Sequence, residues 1–354
     1  MIGQIEDRIN RGLPINRDEA IWLLTEADLL QVGRLADRVR RQKHPHGRVT
    51  FVVDRNVNYS NVCVSQCRFC AFYCTPEAPN AYLLEHDTIL AKVAELVKHG
   101  GTQLLMQGGL HPDLRIEWFE ELFAKIRSQF PQVQIHSLSA AEIVHLARLS
   151  ELTVEQCLLR LQAAGLKSLP GAGAEVLVDE VRQKISPNKI GWRQWGEVME
   201  TAHRLGMRST ATMMFGSAEG PEDIVEHLLR IRDIQSRTGG FTAFIPWTFQ
   251  PDNTELGGEK VGGVPYLKVL ALSRVVLNNI DNIQASWVTQ GARMAQVALF
   301  FGANDLGGTM LEENVVAAAG VTFRMSREEI IELARDAGFI PARRTTEYEI
   351  LEEY

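Results

Sequence analysis

Apolar residues follow two rhythms along this chain. Up to residue 48 they recur every three or four positions, as in "NRDEAIWLLTEA" and "LLQVGRLADRVRRQKH", the spacing of helices that bury one face. Asn16 stands where a helix N-cap belongs. From about Val49 short β-rich runs alternate with longer amphipathic stretches. "VTFVVDRNVNY" is the first strand candidate, and "DTILAKVAELVKHGG" is a helix closed by Gly100 and Gly101. Strand and helix then alternate through "TQLLMQGG" and "IEWFEELFAKIRSQF", "VQIHSLS" and "AAEIVHLARLS" with "VEQCLLRLQAAG", and "LKSLPG" and "WRQWGEVMETAHRLG". They continue through "RSTATMMFG" and "PEDIVEHLLRIRDIQSRTGG", "FTAFIPWTF" and "VPYLKVLALSRVVLNN", and "IQASW" and "ARMAQVALFFGA". "SREEIIELARDAGF" is a last helix, with Ser326 and Glu329 spaced as a capping box.

Repeated strand–helix units predict a parallel sheet covered by helices, an α/β fold. At least seven units follow residue 48, which favours a TIM-type (β/α) barrel, complete or partial, over an open doubly wound sheet. The expected layout is an N-terminal helical extension over residues 1–48, the barrel over 49–320, and a C-terminal helix and tail over 321–354 packed on the barrel. In such barrels the reacting groups sit at the C-terminal ends of the strands. The polar and glycine-rich segments "QGGLHPD", "HSLSAAE", "PGAGAE", "FGSAEG" and "PWTFQPDNTE" each follow a strand, so they are expected to converge on one mouth.

Composition narrows the partners. The 354 residues are 45% hydrophobic, enough for a large core, and carry a net charge of −7 with no long basic run, so a nucleic-acid backbone is not expected as a partner. No apolar segment reaches the length of a membrane span, and "MIGQIEDRINRG" lacks a signal-peptide core, so a cytoplasmic location is expected. In that reducing compartment clustered thiols point to a metal or to redox chemistry rather than to disulfides.

Four of the five cysteines crowd into "VCVSQCRFCAFYC". Cys63, Cys67 and Cys70 form a C-x3-C-x2-C trio, with Cys74 following. Three thiolates hold three irons of a [4Fe–4S] cluster and leave the fourth open to a small molecule. A zinc site using Cys74 as a fourth ligand, an electron-transfer centre, and plain burial are the competing readings. Cys157 lies in a helical pattern and reads as core.

The trio, with the aromatic Phe69 before its last cysteine, resembles the signature of the radical S-adenosylmethionine superfamily. The resemblance implies a (β/α) barrel, complete or partial, with a [4Fe–4S] cluster on Cys63, Cys67 and Cys70. It also implies S-adenosyl-L-methionine chelated at the open iron and cleaved to a 5′-deoxyadenosyl radical. Gln107, Gly108 and Gly109 resemble the segment that meets the cofactor's amino group. Glu175 resembles the ribose-binding position and Arg182 the residue that meets the methionyl carboxylate. Met214 and Phe215, before Gly216, resemble the strand that reads the adenine edge.

The similarity runs from about residue 50 to beyond 320. "GGTQLLMQGGLHPDL", "IHSLSAAEI", "GAGAEVLVDEVRQKISPNK", "TAHRLGMRSTATMMFG" and "GGFTAFIPWTFQPDNTEL" follow the order seen in the dehypoxanthine futalosine cyclase family of menaquinone biosynthesis. Aminofutalosine synthase and the deazaflavin (F0) synthase subunits are close alternatives. One departure is Cys74, which stands after "CAFY" where that family often carries a basic residue. The implied reaction takes a hydrogen atom from ribose C4′ of dehypoxanthine futalosine and closes a ring onto the attached arene. The implied electron donor is a flavodoxin or ferredoxin. His111, His136 and Glu142 are candidate bases for the final proton. Arg55, Arg68 and Arg293 are candidates for the substrate's benzoate, and Trp247 and Phe249 for its ring.

Overall fold

Val53 is where the first strand changes partners. On its N-terminal side lies β1 (Arg48–Val52), and on its C-terminal side β2 (Asp54–Val57). The computed structural model describes residues 1–354. β2 begins a seven-stranded parallel sheet whose strands lie in chain order. They are β3 (Gln103–Met106), β4 (Gln134–Ser137), β5 (Leu166–Leu169), β6 (Arg208–Phe215), β7 (Phe241–Thr248) and β8 (Asn282–Ile283). A second sheet places β1 between β9 (Asp305–Gly308) and β10 (Ile340–Arg344), with β11 (Ile350–Glu353) antiparallel at its edge.

Backbone hydrogen bonds join the two sheets into a ring. Asn304 N–H donates to the Ile283 carbonyl (3.0 Å) and Ala285 N–H to that of Asp305 (2.9 Å), so β8 hands on to β9 across a Gln284–Asp305 bridge. Thr50 N–H donates to the Asn304 carbonyl (3.0 Å) and Thr309 N–H to that of Val52 (3.1 Å), which returns the ladder to β1. With β1 and β2 counted as one stave, β2 to β8 give seven and β9 an eighth. The barrel is complete.

The helices form where the 3.6-residue rhythm predicts. His86–Lys98, between β2 and β3, buries Ile89, Leu90, Val93 and Leu96 on one face. Each such side chain contributes about 1.5–3 kcal/mol by leaving water. The N-terminal helices Ile2–Asn10, Arg17–Thr25 and Leu29–Lys43 are part of the outer layer. The third packs on Gly263–Val276 and the second on Pro221–Thr238. Asn16 caps the second helix and Ser326 the helix Arg327–Asp336, each in a full capping box with Glu19 and Glu329.

The C-terminal segment adds strands that the sequence pattern did not announce. β10 extends the sheet beyond β1, and the turn after it crosses the N-terminal end of the barrel. Arg344 is buried there and grips Asp305 through Nε (2.6 Å) and Nη2 (2.9 Å), while the Tyr348 ring lies 3.9 Å from its guanidinium carbon. Arg344, Thr346 and Tyr348 line the lumen together with Asp54 and Gln103, which begin their strands. They form its floor.

Candidate functional site

A barrel of this size normally fills its lumen with branched apolar side chains. Here the inward positions are largely polar: Asp54 and Asn56 on β2, Gln103 on β3, His136 on β4, and Thr210 and Thr212 on β6. They leave a cavity of about 370 Å³ that runs from the floor to the cysteine loop. That is within the range of small-molecule sites.

The loop after β2 carries the thiols. Cys63, Cys67 and Cys70 all line the cavity. The loop folds tightly, with Cys70 N–H on the Cys67 carbonyl (3.0 Å) and Gln66 in the left-handed region at φ 47°. Ser65 Oγ lies 3.3 Å from Cys67 Sγ. Burial pushes the Cys67 thiol up to about 11, against the pull of Lys189. Cys74 stands apart. Its side chain is buried outside the cavity lining, while its backbone pairs with both sides of Val62, accepting from Cys63 N–H (3.1 Å) and donating to Asn61 (2.9 Å). No group of three or more metal-ligating side chains converges on a point that one ion could fill. The three thiols all line the cavity, and as soft, thiolate-forming donors they suit an iron–sulfur cluster.

Gln107, Gly108 and Gly109 also line the cavity, and the glycines are required by packing. A Cβ on Gly109 would lie 2.1 Å from the Val62 carbonyl oxygen and 2.9 Å from Cys63 Cβ. A Cβ on Gly108 would strike the Tyr59 ring at 2.6 Å. This segment therefore seats the cysteine loop. Glu142 braces it from below, accepting from Gly108 N–H (3.0 Å), Tyr59 Oη–H (2.8 Å) and Ser139 N–H (2.6 Å). Burial raises the Glu142 carboxyl's pKa while these donors lower it.

Across the ring, the segment after β5 brings Glu175 and Lys189 together. Both line the cavity, and Lys189 Nζ donates to Glu175 Oε1 at 2.9 Å. Burial alone would lower the lysine's pKa, but Glu175 and Cys67 outweigh it and hold the ammonium charged. Lys189 also lies 5.5 Å from the ring centre of Phe69, which lines the cavity on the cysteine loop. Arg68 N–H, on the same loop, donates to the Ile185 carbonyl (2.9 Å). The cysteine loop thus leans toward Lys189, a residue the sequence reading did not single out.

Several expected residues lie elsewhere. Arg182 does not line the cavity; its buried guanidinium is taken up by backbone carbonyls, with Nε and Nη2 on Ile190 (3.0 and 2.6 Å), Nη2 on Gly173 (3.1 Å) and Nη1 on Ala174 (2.5 Å). Its contact with Glu175 Oε2 is long, at 3.4 Å. It ties the two segments that carry Glu175 and Lys189. Met214 and Phe215 are also off the cavity. Met214 packs among Val176, Val178, Val181, Ile185 and Phe249, which removes Phe249 as well, and Phe215 stacks on Tyr266. Their backbone is engaged too, Met214 N–H with Glu175 (3.0 Å) and the Phe215 carbonyl with Phe249 (2.8 Å).

His111 lies outside, with its carbonyl accepting from His145 Nε2 (2.8 Å) and its Nδ1 from Asp113 N–H (3.2 Å). Arg55 is held by Glu95 and Glu312, Arg68 is exposed beside Glu255, and Arg293 is exposed. None of the three arginines lines the cavity. Trp247 does, and so does His136, whose Nδ1 meets Ser168 Oγ at 2.7 Å and whose pKa burial depresses to about 3.

The chain matches two family models, the radical SAM superfamily over residues 57–231 and the CofH/MqnC C-terminal region over 238–354. It is 47% identical to the cyclic dehypoxanthine futalosine synthase of Streptomyces coelicolor, over 98% of this chain and 88% of that one. It is 44% identical to the protein of the same name from Halalkalibacterium halodurans, over 100% and 96%. A 5-amino-6-(D-ribitylamino)uracil–L-tyrosine 4-hydroxyphenyl transferase of Methanothermobacter thermautotrophicus is also 44% identical, over 96% and 95%. Among solved structures, methylornithine synthase (PylB) shares the fold at a TM-score of 0.76 with 18% identity, over 96% of this chain and 97% of that one.

Proposed function

We propose, from the fact that this chain belongs to the radical S-adenosylmethionine superfamily, that it is the enzyme converting dehypoxanthine futalosine to cyclic dehypoxanthine futalosine in menaquinone biosynthesis. The observation that carries the reading is near-full-length identity, at 47% and 44%, to two synthases of that name. The family uses a [4Fe–4S] cluster and S-adenosyl-L-methionine. When bound, they supply the adenosyl radical that removes hydrogen from ribose C4′ before the ring closes on the arene.

The chain's own residues do the rest. Cys63, Cys67 and Cys70 would hold the cluster. Lys189 meets the methionyl carboxylate, as the cavity-lining cation beside the cysteine loop. Glu175, fixed by Lys189, takes the ribose hydroxyls. Gln107 to Gly109 set the loop's height over the lumen, and Trp247 offers an aromatic face. Of the three candidate bases, His136 and Glu142 line the cavity; the His136 Nδ1 is bonded to Ser168, and burial depresses its pKa to about 3, which makes it a weak proton acceptor. Glu142 is occupied by its three donors. An electron donor such as a flavodoxin or ferredoxin would supply the reducing electron. No helix is long and apolar enough to cross a membrane, and a cytoplasmic site of action suits this chemistry.

The test is anaerobic reconstitution followed by incubation with S-adenosylmethionine, a reductant and dehypoxanthine futalosine, with mass spectrometry of the products. Cyclised product together with 5′-deoxyadenosine supports the assignment, and 5′-deoxyadenosine without cyclised product removes it. The 44% identity to the transferase supports a second reading in the same superfamily. Parallel incubation with 5-amino-6-(D-ribitylamino)uracil and L-tyrosine separates the two.

A further inference from the structure

The segment after β9 is laid along β2 through side chains. Met310 N–H donates to Asp54 Oδ1 (2.8 Å). Glu312 takes Arg55 Nε (3.0 Å) and Lys92 Nζ (2.6 Å). Glu313 Oε2 takes Asn56 Nδ2 (2.6 Å), and Asn314 Nδ2 reaches Asn58 Oδ1 (3.3 Å). Within this set Asp54, Asn56, Asn58, Met310 and Glu313 line the cavity.

The two carboxylates of this segment differ in a telling way. Glu312 has two cations. Glu313 has only N–H donors, Asn56 Nδ2 and the backbone of Val316 (2.7 Å), with Glu312 as its charged neighbour. Beside it, Asn56 is only 6% exposed and its Oδ1 has no hydrogen-bond partner. A buried acceptor left without a donor is costly, and Asn56 is in the cavity lining, where a ligand can supply one. The pair therefore offers the Glu313 carboxylate and Asn56 Oδ1 as acceptors, with the second N–H of Asn56 Nδ2 beside them. The Glu313 carboxylate would repel another carboxylate and suits hydroxyl groups, which donate as well as accept.

Topology says which ligand these hydroxyls belong to. Glu175 and Lys189 follow β5, and Glu313 follows β9. In a ring ordered β2 to β9 these staves are four apart, on opposite sides. A nucleoside held at Glu175 leaves the β9–β2 wall to the second occupant of the cavity.

We propose that Glu313 and Asn56 form the subsite that binds the sugar hydroxyls of the substrate and turns its benzoate end away from the β2–β9 wall. This rests on the substrate assigned above. The Glu313 carboxylate accepts from a hydroxyl, and Asn56 accepts a second hydroxyl at Oδ1 while its Nδ2 holds Glu313 in place.

The test is a double-mutant cycle between enzyme and substrate. Reconstituted full-length wild type and Glu313→Gln are each assayed with dehypoxanthine futalosine and with its 2-deoxy and 3-deoxy sugar analogues. Glu313→Gln keeps the side chain's shape and is expected to raise KM for the natural substrate roughly tenfold or more, the scale of a hydrogen bond to a charged group. Against the analogue lacking the contacted hydroxyl, the same substitution should change KM less than twofold. Asn56→Ala, which removes the second acceptor and releases Glu313, should raise KM for the natural substrate at least as much. An unchanged KM in Glu313→Gln, or an equal loss with natural and both deoxy substrates, overturns the proposal while leaving the cyclase assignment intact. Wild-type enzyme that forms no cyclised product overturns the assignment and the subsite together.

Discussion

Substitution separates the backbone-tying role of Arg182 from the cofactor contact proposed for Lys189. Arg182 is 2% exposed and satisfies the carbonyls of Gly173, Ala174 and Ile190. Arg182→Met removes these donors and leaves those carbonyls buried without partners. Removing one buried, fully bonded charged group costs about 3–5 kcal/mol. At roughly 2.1 cal/mol/K per residue, a chain of this length loses about 4–7 °C of melting temperature for that cost. Lys189→Met removes one ammonium at the cavity edge and leaves Glu175 with Arg182. It should melt closer to wild type and lose most of its affinity for S-adenosylmethionine, roughly tenfold or more. The assays are circular-dichroism melting of the cluster-free proteins and equilibrium dialysis of S-adenosylmethionine on the reconstituted ones. Arg182→Met melting within about 1 °C of wild type, with cofactor binding abolished, would refute the reasoning and restore Arg182 as a direct ligand.

Other consequences are as direct. Gly109→Ala forces the Val62–Cys63 backbone away, since its Cβ would fall 2.1 Å from a carbonyl oxygen. Iron content after reconstitution should drop to less than half, read by iron and sulfide analysis and by the visible absorption of the cluster. The cluster-free protein should lose stability in mild acid. His136 and His227 are buried and hold neutral imidazoles down to about 3. Unfolded histidines take up protons near 6.5, so between those values the unfolded state binds more protons and stability falls as pH falls. Each contributes about 1.4 kcal/mol per pH unit below 6.5. Asp54, raised by burial to about 6, works against them, because its protonated form is favoured in the folded state between its unfolded value and 6. Urea titrations at successive pH values should therefore show a slope that His227→Gln flattens and Asp54→Asn steepens.

The alternation of strands and helices was legible because each crossover helix has a clear apolar face and each strand is bounded by glycine or polar turns. β9 to β11 were not. They are four or five residues long, and "DLGG" and "IPARR" carry neither alternation nor β-branched runs. Their partners, Thr50 and Asp305 among them, are distant in sequence. The cysteine loop was legible from spacing alone. The place of Arg182 off the cavity was not legible, because a seven-residue interval places two residues on one face of a helix, whereas the helix here runs only Asp179–Ile185 and Glu175 precedes it at φ 41°. Lys189, after that helix in "SPNK", gave no periodic signal; only the fold brings it to Glu175. Glu142 was readable in principle, since Ser139-Ala-Ala-Glu142 is a capping-box pattern and the box is formed. Asn56 and Glu313 lie 257 residues apart, and no local pattern joins them.

Three of the four clustered sulfurs, and not the fourth, are proposed to hold the cluster that binds and cleaves S-adenosylmethionine. The most direct measurement is 5′-deoxyadenosine formation, under dithionite and without air, by wild type and by alanine variants of Cys63, Cys67, Cys70 and Cys74. Wild type and Cys74→Ala should cleave the sulfonium, and each of the other three variants should produce none. Cleavage by any of those three at the wild-type rate, or its loss in a folded Cys74→Ala protein, would contradict the account.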